Sequence, residues 1–397
     1  MKFRIPATAI LSVLVLLTMA AIPTLPCLKA AALASRHLKV GTGAAAQWYF
    51  ALSGDSRDCG DLIMPKIAKS IETNRGKTPV EFYWHLGDMR RIFGIDCDII
   101  KRKYPSFDCA HRPPKGPSQN EMKEYLNTAW DDFIQQQLAP FDKTPVFVGI
   151  GNHELLKGSR SDFRLKFKKW LTQEPLPLQR SIDAGSGVAS NEGDTYYHFI
   201  KNGVDFIYLD NADRNSFSPE QVKWLIEILT LDSKNPEVKT IVAGMHEALP
   251  YSTSRDHGMD ASCQGICSGE QVYNLLYQAR SMAGKRVYVF ASHSHYFQEN
   301  IFDTPEHQGN VLPGWIVGTA GAEQYRQEIR YGYLLVGVRP DGTLSPRFVA
   351  ITRESAPPAT GPGAEELTSF CFEQNKVAPG KAPVDTFKGG CACGEAK

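Results

Sequence analysis

Five short apolar runs in this chain each stop abruptly at a loop that carries aspartate, asparagine or histidine. Residues 47–52 run into Ser53-Gly54-Asp55-Ser56-Arg57, residues 80–86 into Gly87-Asp88, and residues 144–150 into Gly151-Asn152-His153-Glu154. Residues 239–243 run into Gly244-Met245-His246, and residues 286–291 into Ser292-His293-Ser294-His295. Short runs of this kind, closed by glycine or polar turns, are buried strands. Between them the pattern predicts helices over 62–73, 120–138, 162–171, 218–229 and 268–283. Ser218-Pro219-Glu220-Gln221 opens one of these with a capping serine, a proline at the first helical position and a glutamine at the third. Residues 195–200 and 204–209 flank Lys201-Asn202-Gly203 and read as a hairpin. Strands alternating with helices, plus an antiparallel hairpin, predict an α/β sandwich with mixed central sheets flanked by helices.

The ends of the chain read differently. Lys2 and Arg4 precede a stretch free of formal charge from Ile5 to Leu28, followed by Ala32-Leu33-Ala34. That order predicts a signal peptide over 1–34 and a secreted or periplasmic product; an uncleaved membrane anchor is the alternative. Loss of 1–34 removes Lys2, Arg4 and Lys29 and no acidic residue, which takes the formal charge from +1 to −2. Such a balance gives no reason to expect nucleic acid as a partner, or a membrane once the signal is cleaved. Of the nine cysteines, Cys59, Cys97, Cys109, Cys263, Cys267, Cys371, Cys391 and Cys393 lie beyond the signal. An even set in an exported chain favours disulfides, with Cys263 to Cys267 expected as one bridge. The main domain is expected over 35–353 with an insertion at 92–119, and 354–397, rich in Pro, Gly and Ala, as an irregular Cys-containing tail.

Loops at the carboxyl ends of strands in one open sheet converge on a shared crevice. Asp55, Asp88, Asn152, His246, His293 and His295 then supply oxygen and imidazole donors in one place, a set suited to manganese, zinc or iron. Six donors exceed the needs of one tetrahedral ion, so two ions sharing a carboxylate are the economical reading. Arg57 beside Asp55 is expected to grip a phosphate oxygen through its planar fork, or else to pair with a carboxylate such as Asp58. His85 and His198 fall on strands and read as packing or hydrogen-bonding residues, and His257 reads as a solvated loop histidine. Glu154 reads as support for His153 or for a metal-ligand histidine.

In order and placement, the five blocks resemble the calcineurin-like metallophosphoesterases, the superfamily that includes purple acid phosphatases. The resemblance spans about residues 47 to 325 and implies a metal-dependent phosphoester hydrolase acting on a small phosphoester, which the signal-like first 34 residues predict to be exported. It implies that Asp55, Asp88 and His295 bind one divalent or trivalent ion, and that Asp88, Asn152, His246 and His293 bind the other. Metal-bound hydroxide would attack phosphorus while His153 protonates the leaving group. Two positions depart from the pattern. Arg57 stands where many members have a histidine ligand, and a guanidinium cannot ligate. Arg91 stands where purple acid phosphatases have a tyrosine iron ligand. Two competing readings stay open: a phosphodiesterase acting on cyclic nucleotides or phospholipid head groups, and a non-catalytic binding protein of the same fold.

Overall fold

A computed structural model describes residues 47–74, 76–109, 118–189, 194–213, 216–254, 257–326, 328–355, 363–377, 391 and 393. The expected signal segment lies outside these residues, as does part of the expected insertion. The apolar runs form β1 (Trp48–Ser53), β2 (Val80–His85) and β3 (Val146–Val148), then the hairpin β4 (Tyr197–Lys201) and β5 (Val204–Leu209), then β6 (Thr240–Met245) and β7 (Arg286–Ala291). Four further strands follow: β8 (Phe297–Glu299), β9 (Gly314–Val317), β10 (Gly332–Val338) and β11 (Leu344–Ala350). They build two mixed sheets, one ordered β11-β10-β1-β2-β3 and the other β4-β5-β6-β7-β9-β8. In the first, β1, β2 and β3 are parallel while β10 and β11 run antiparallel. In the second, β5, β6, β7 and β9 are parallel, with β4 and β8 antiparallel at the edges. This is the expected two-sheet sandwich.

Aromatic rings hold the two sheets face to face. Phe206 of β5 meets Phe50 of β1 and Phe82 of β2 edge-on, at 5.0 Å between ring centroids in each case. Phe199 of β4 meets Phe82 at 5.5 Å and Phe147 of β3 at 4.4 Å. Each such pair adds about 0.5–1.5 kcal/mol beyond the burial of its area. Parallel strands on both sides of this layer aim their carboxyl ends at one edge of the sandwich.

The helices are α1 (Gly60–Thr73), α2 (Cys97–Lys103), α3 (Gln119–Phe133), α4 (Asn152–Lys157), α5 (Arg160–Lys166), α6 (Lys168–Leu171), α7 (Leu176–Gly185), α8 (Pro219–Lys234), α9 (Cys263–Ser281) and α10 (Ala364–Ser369). On the outer faces α1 lies against β10, α6 against β3, α7 against β4 and α9 against β7. Ser218 caps α8 by accepting from the Gln221 amide at 3.2 Å, with Pro219 in the first turn, as its sequence predicts. The helix expected over 120–138 changes at Phe133 into a π-helical turn, Ile134–Leu138. That turn carries buried Gln137, whose amide donates to the Ser56 carbonyl and to Asp61. None of the helices among the described residues is long and apolar enough to cross a membrane.

Two expectations are corrected. Cys263 and Cys267 do not pair; they join Cys391 and Cys393 respectively. Both lie on α9 one turn apart, where Cβ atoms stand about 5–6 Å from each other, too far for the roughly 3.8 Å a disulfide needs. Nor is the segment beyond Arg353 wholly irregular. It contains α10, and Cys371 is bonded to Cys59 beside α1, with Cys97 bonded to Cys109 nearer the middle of the chain.

Helix α7 is fastened by a buried charge. His198 of β4 places Nδ1 at 2.9 Å from both oxygens of Asp205, and Nε2 at 2.9 Å from Asp183 of α7. Burial opposes the charge, but the carboxylates outweigh it and push the His198 pKa up to about 10. The folded value exceeds the ordinary histidine value of 6.5, so the stabilisation is complete below that pH and is lost as pH rises through about 10. His198→Gln should therefore cost about 3–5 kcal/mol at pH 6 by urea unfolding, and the gap to wild type should narrow above pH 10.

Candidate metal centre

Asp55 follows β1, Asp88 follows β2, Asn152 follows β3, His246 follows β6, and His293 and His295 follow β7. Backbone hydrogen bonds lock these loops together. The Asp55 amide donates to the Gly87 carbonyl at 3.0 Å, Ser56 to Asp88 at 3.0 Å, and Ser292 to His246 at 2.9 Å. The approach is too close for side chains. Gly87 has φ +97°, and a Cβ there would stand 2.7 Å from the Gly151 nitrogen, while a Cβ on Gly151 would fall onto Asp88 Oδ1. Asp55, Asp88 and His293 themselves have φ of 61°, 57° and 60°, a left-handed backbone that non-glycine residues adopt at a cost. Such strain gathers where geometry is held for function.

All six expected ligands are brought to this edge. Asp88, His246 and His293 place ligand atoms within 4.8 Å of one another, as do Asp55, Asp88 and His295, and either set could hold an ion. Asn152 joins the former, its Oδ1 3.1 Å from His246 Nε2, and His293 Nδ1 lies 3.0 Å from that same nitrogen. His246 Nδ1 donates to the Leu86 carbonyl at 2.9 Å, which turns Nε2 toward the other ligand atoms. Ser292 Oγ lies 3.1 Å from His246 Nδ1 and donates to the same carbonyl. Asp55 Oδ1 and Asp88 Oδ2 are buried and accept no hydrogen bond. Buried carboxylate oxygens without donors are costly unless a cation meets them, so the donor set fits a metal ion.

The charges respond to this crowding. Burial pushes the Asp88 carboxyl up, but His153, His246 and Arg57 outweigh it and hold its pKa well below the usual range. At His246 the order of effects is burial, which lowers the pKa, then Asp88 and Asp55, which together drive it up to about 10. His293 is pushed far down, by burial first and then by His257 and His246. The edge therefore stabilises positive charge beside Asp88.

Glu154 supports the framework rather than His153. Its two carboxylate oxygens accept from the amides of Asp88 at 2.9 Å, Met89 at 2.9 Å and Gly151 at 2.8 Å, tying the second and third loops together. His153 instead faces Arg57. Nη1 of Arg57 donates to His153 Nε2, and Nη2 to His295 Nε2 at 2.5 Å. Burial and then Arg57 lower the His153 pKa to about 3. Arg57 does not pair with Asp58, which takes Arg91 at 3.1 Å. Arg90 is enclosed by Asp61, Asp96, Asp98 and Asp132 and is not available to substrate.

His85 is structural, as expected, accepting from the Gly87 amide and reaching Ser56 Oγ at 3.0 Å. His257 is not a solvated loop residue. Its ring stacks on His293 at 3.9 Å, and Tyr325, stacked on His295 at 4.2 Å, has its hydroxyl 3.4 Å from His257 Nε2. Phe93, exposed, stands edge-on to His153 at 5.9 Å. Local pattern marks none of these three, because each comes from a loop of irregular sequence.

Carboxylates and imidazoles gathered at the strand ends of a two-sheet sandwich make a candidate metal centre. A sequence profile of the calcineurin-like phosphoesterases matches residues 61–297, more than half of the chain. The chain belongs to that family of metal-dependent phosphoesterases. Among solved structures it is similar to a purple acid phosphatase from yellow lupin (Lupinus luteus) seeds, with 13% identity and a TM-score of 0.49. That similarity covers 77% of this chain and 52% of the lupin enzyme, so the chain spans about half its length. It is also similar to a hypothetical protein from Pyrococcus horikoshii, with 12% identity and a TM-score of 0.33 over 83% and 99% of the two chains. A Mycoplasma pneumoniae phosphatase shares 11% identity, with a TM-score of 0.32 over 77% and 94%. None of the curated proteins compared with the chain matches it.

Glu154→Gln keeps one acceptor oxygen but sets an amide N–H against backbone donors. It should weaken binding of manganese by about 10–100-fold in a calorimetric titration, with the far-ultraviolet circular dichroism spectrum retained.

Proposed function

We propose that this chain is an exported hydrolase of small phosphate esters whose metal is held by Asp55, Asp88, Asn152, His246, His293 and His295. The observation that carries this reading is the convergence of buried carboxylate and imidazole ligand atoms within 4.8 Å of one another in two sets that share Asp88. The donors suit manganese, zinc or iron. Asp88, common to both donor sets, is the bridge if two ions are bound. Export is supported by four disulfides, bonds that persist in oxidising compartments, and by the basic, apolar and small-residue order of the first 34 residues.

Bound at this edge, the metal supplies Lewis acidity and a water of lowered pKa. The protein supplies the rest. Arg57 presents a fixed positive fork to the phosphate oxygens. Glu154 holds the Asp88 and Gly151 loops at the spacing the ligands need. His153, in contact with Arg57, would pass a proton to the leaving oxygen.

Hydrolysis of p-nitrophenyl phosphate in the presence of manganese should fall at least about 100-fold in Asp88→Ala; equal rates in the two proteins would falsify the reading. His153→Ala should keep its metal yet lose about 10²–10⁴-fold on phenyl phosphate, whose leaving group needs a proton, and far less on p-nitrophenyl phosphate. Rates on bis-p-nitrophenyl phosphate, measured on the same preparation, separate a monoesterase from a diesterase.

A further inference from the structure

The two donor sets differ in what already faces them. His295 donates from Nδ1 to the Glu323 carbonyl at 2.7 Å, which leaves the Nε2 lone pair as its only free donor, and Arg57 Nη2 takes that lone pair at 2.5 Å. Nη1 of the same guanidinium takes His153, and Nε stands 4.0 Å from Asp88 Oδ2. Arg57 thus lies against the set formed by Asp55, Asp88 and His295, with Nε toward Asp88 Oδ2, a buried carboxylate oxygen that accepts no hydrogen bond, while Asp55 Oδ1 stands 3.3 Å from His295 Nε2. In the other set only Asp88, shared by both, pairs with an arginine; among the described residues Asn152, His246 and His293 make no hydrogen bond or ion pair with an arginine or lysine. There Asn152 Oδ1 and His293 Nδ1 stand 3.1 Å and 3.0 Å from His246 Nε2, and Asp88 Oδ1 is 3.3 Å from it.

We propose that the Arg57 guanidinium is the permanent cation of the first donor set, and that the chain takes up one ion, at Asp88, Asn152, His246 and His293. This rests on the reading of the cluster as a metal-dependent hydrolase site. Arginine has no lone pair to offer a metal and does not lose its proton in proteins, so it competes with an ion for the space instead of helping to hold it. A second divalent ion would have to take His295 Nε2 from Arg57 and sit beside an undiminished positive charge. Filling the first position with arginine replaces a removable charge by one that neither chelation nor pH takes away.

The experiment is manganese loading of the full-length purified protein, removal of free ion, and elemental analysis with electron paramagnetic resonance. Wild type should hold one Mn²⁺ per chain with an isolated six-line signal. Arg57→His, which offers a neutral nitrogen donor, should hold two with an exchange-coupled spectrum. Arg57→Ala, read the same way, covers the case in which the histidine variant fails to fold. Two coupled ions in wild type overturn the proposal, and so does a single ion in wild type and both variants, since Arg57 would then not be what limits the count. Absence of bound manganese from all three proteins overturns the metal-dependent reading itself, together with this proposal.

Discussion

Asp88 carries a negative charge at a point that water does not reach, and the organisation of the site follows from compensating it. Its carboxylate meets His246 on one side and Arg57 with His153 on the other, and it receives the His153 amide on Oδ1. Burial alone would neutralise such a group by raising its pKa. Here the surrounding positive charge reverses that, and the carboxylate stays ionised. The cost is met by structure far from the residue: a left-handed backbone at Asp88, a side-chain-free approach at Gly87 and Gly151, and a glutamate that gathers three amides behind the loops.

The sandwich makes this compensation possible because it is rigid where the loops begin. Interlocked rings of Phe50, Phe82, Phe199 and Phe206 fix the spacing of the two sheets, and the hydrogen bond from the Gly54 amide to the Val317 carbonyl ties the end of β1 to the opposite sheet. Disulfides and the buried His198 cluster act at the periphery. They fasten α7, α9 and the chain beyond Arg353 to the body and leave the strand ends undisturbed.

Much of the fold was legible because strands and metal-ligand loops are local patterns. A period-two or fully apolar run closed by glycine and a polar residue states both where a strand ends and what sits there. What was not legible depended on residues distant in sequence. Cys263 and Cys267 look like partners until a helix sets them side by side with parallel side chains. His257 looks solvated until its loop folds back over His293, and Tyr325 has no marker that would place it against His295. Helix α7 went unread because its apolar face is interrupted by Gln179, Arg180 and Asp183, polar residues buried for the sake of their hydrogen bonds.

Arg57 divides the two sources of information most clearly. From the sequence alone its identity already ruled it out as a ligand, because no arginine nitrogen offers a lone pair to a metal. The same sequence determined the six donors and their order, since each lies at the end of a strand it can be read from. Whether Arg57 would turn toward Asp58 or toward the ligands was decided only by the tertiary structure. Arg91 claims Asp58 from another loop, and His153 and His295, 96 and 238 positions away, supply the acceptors. Residue type is written in the chain; the partners that give a charge its role are assembled only when distant loops converge.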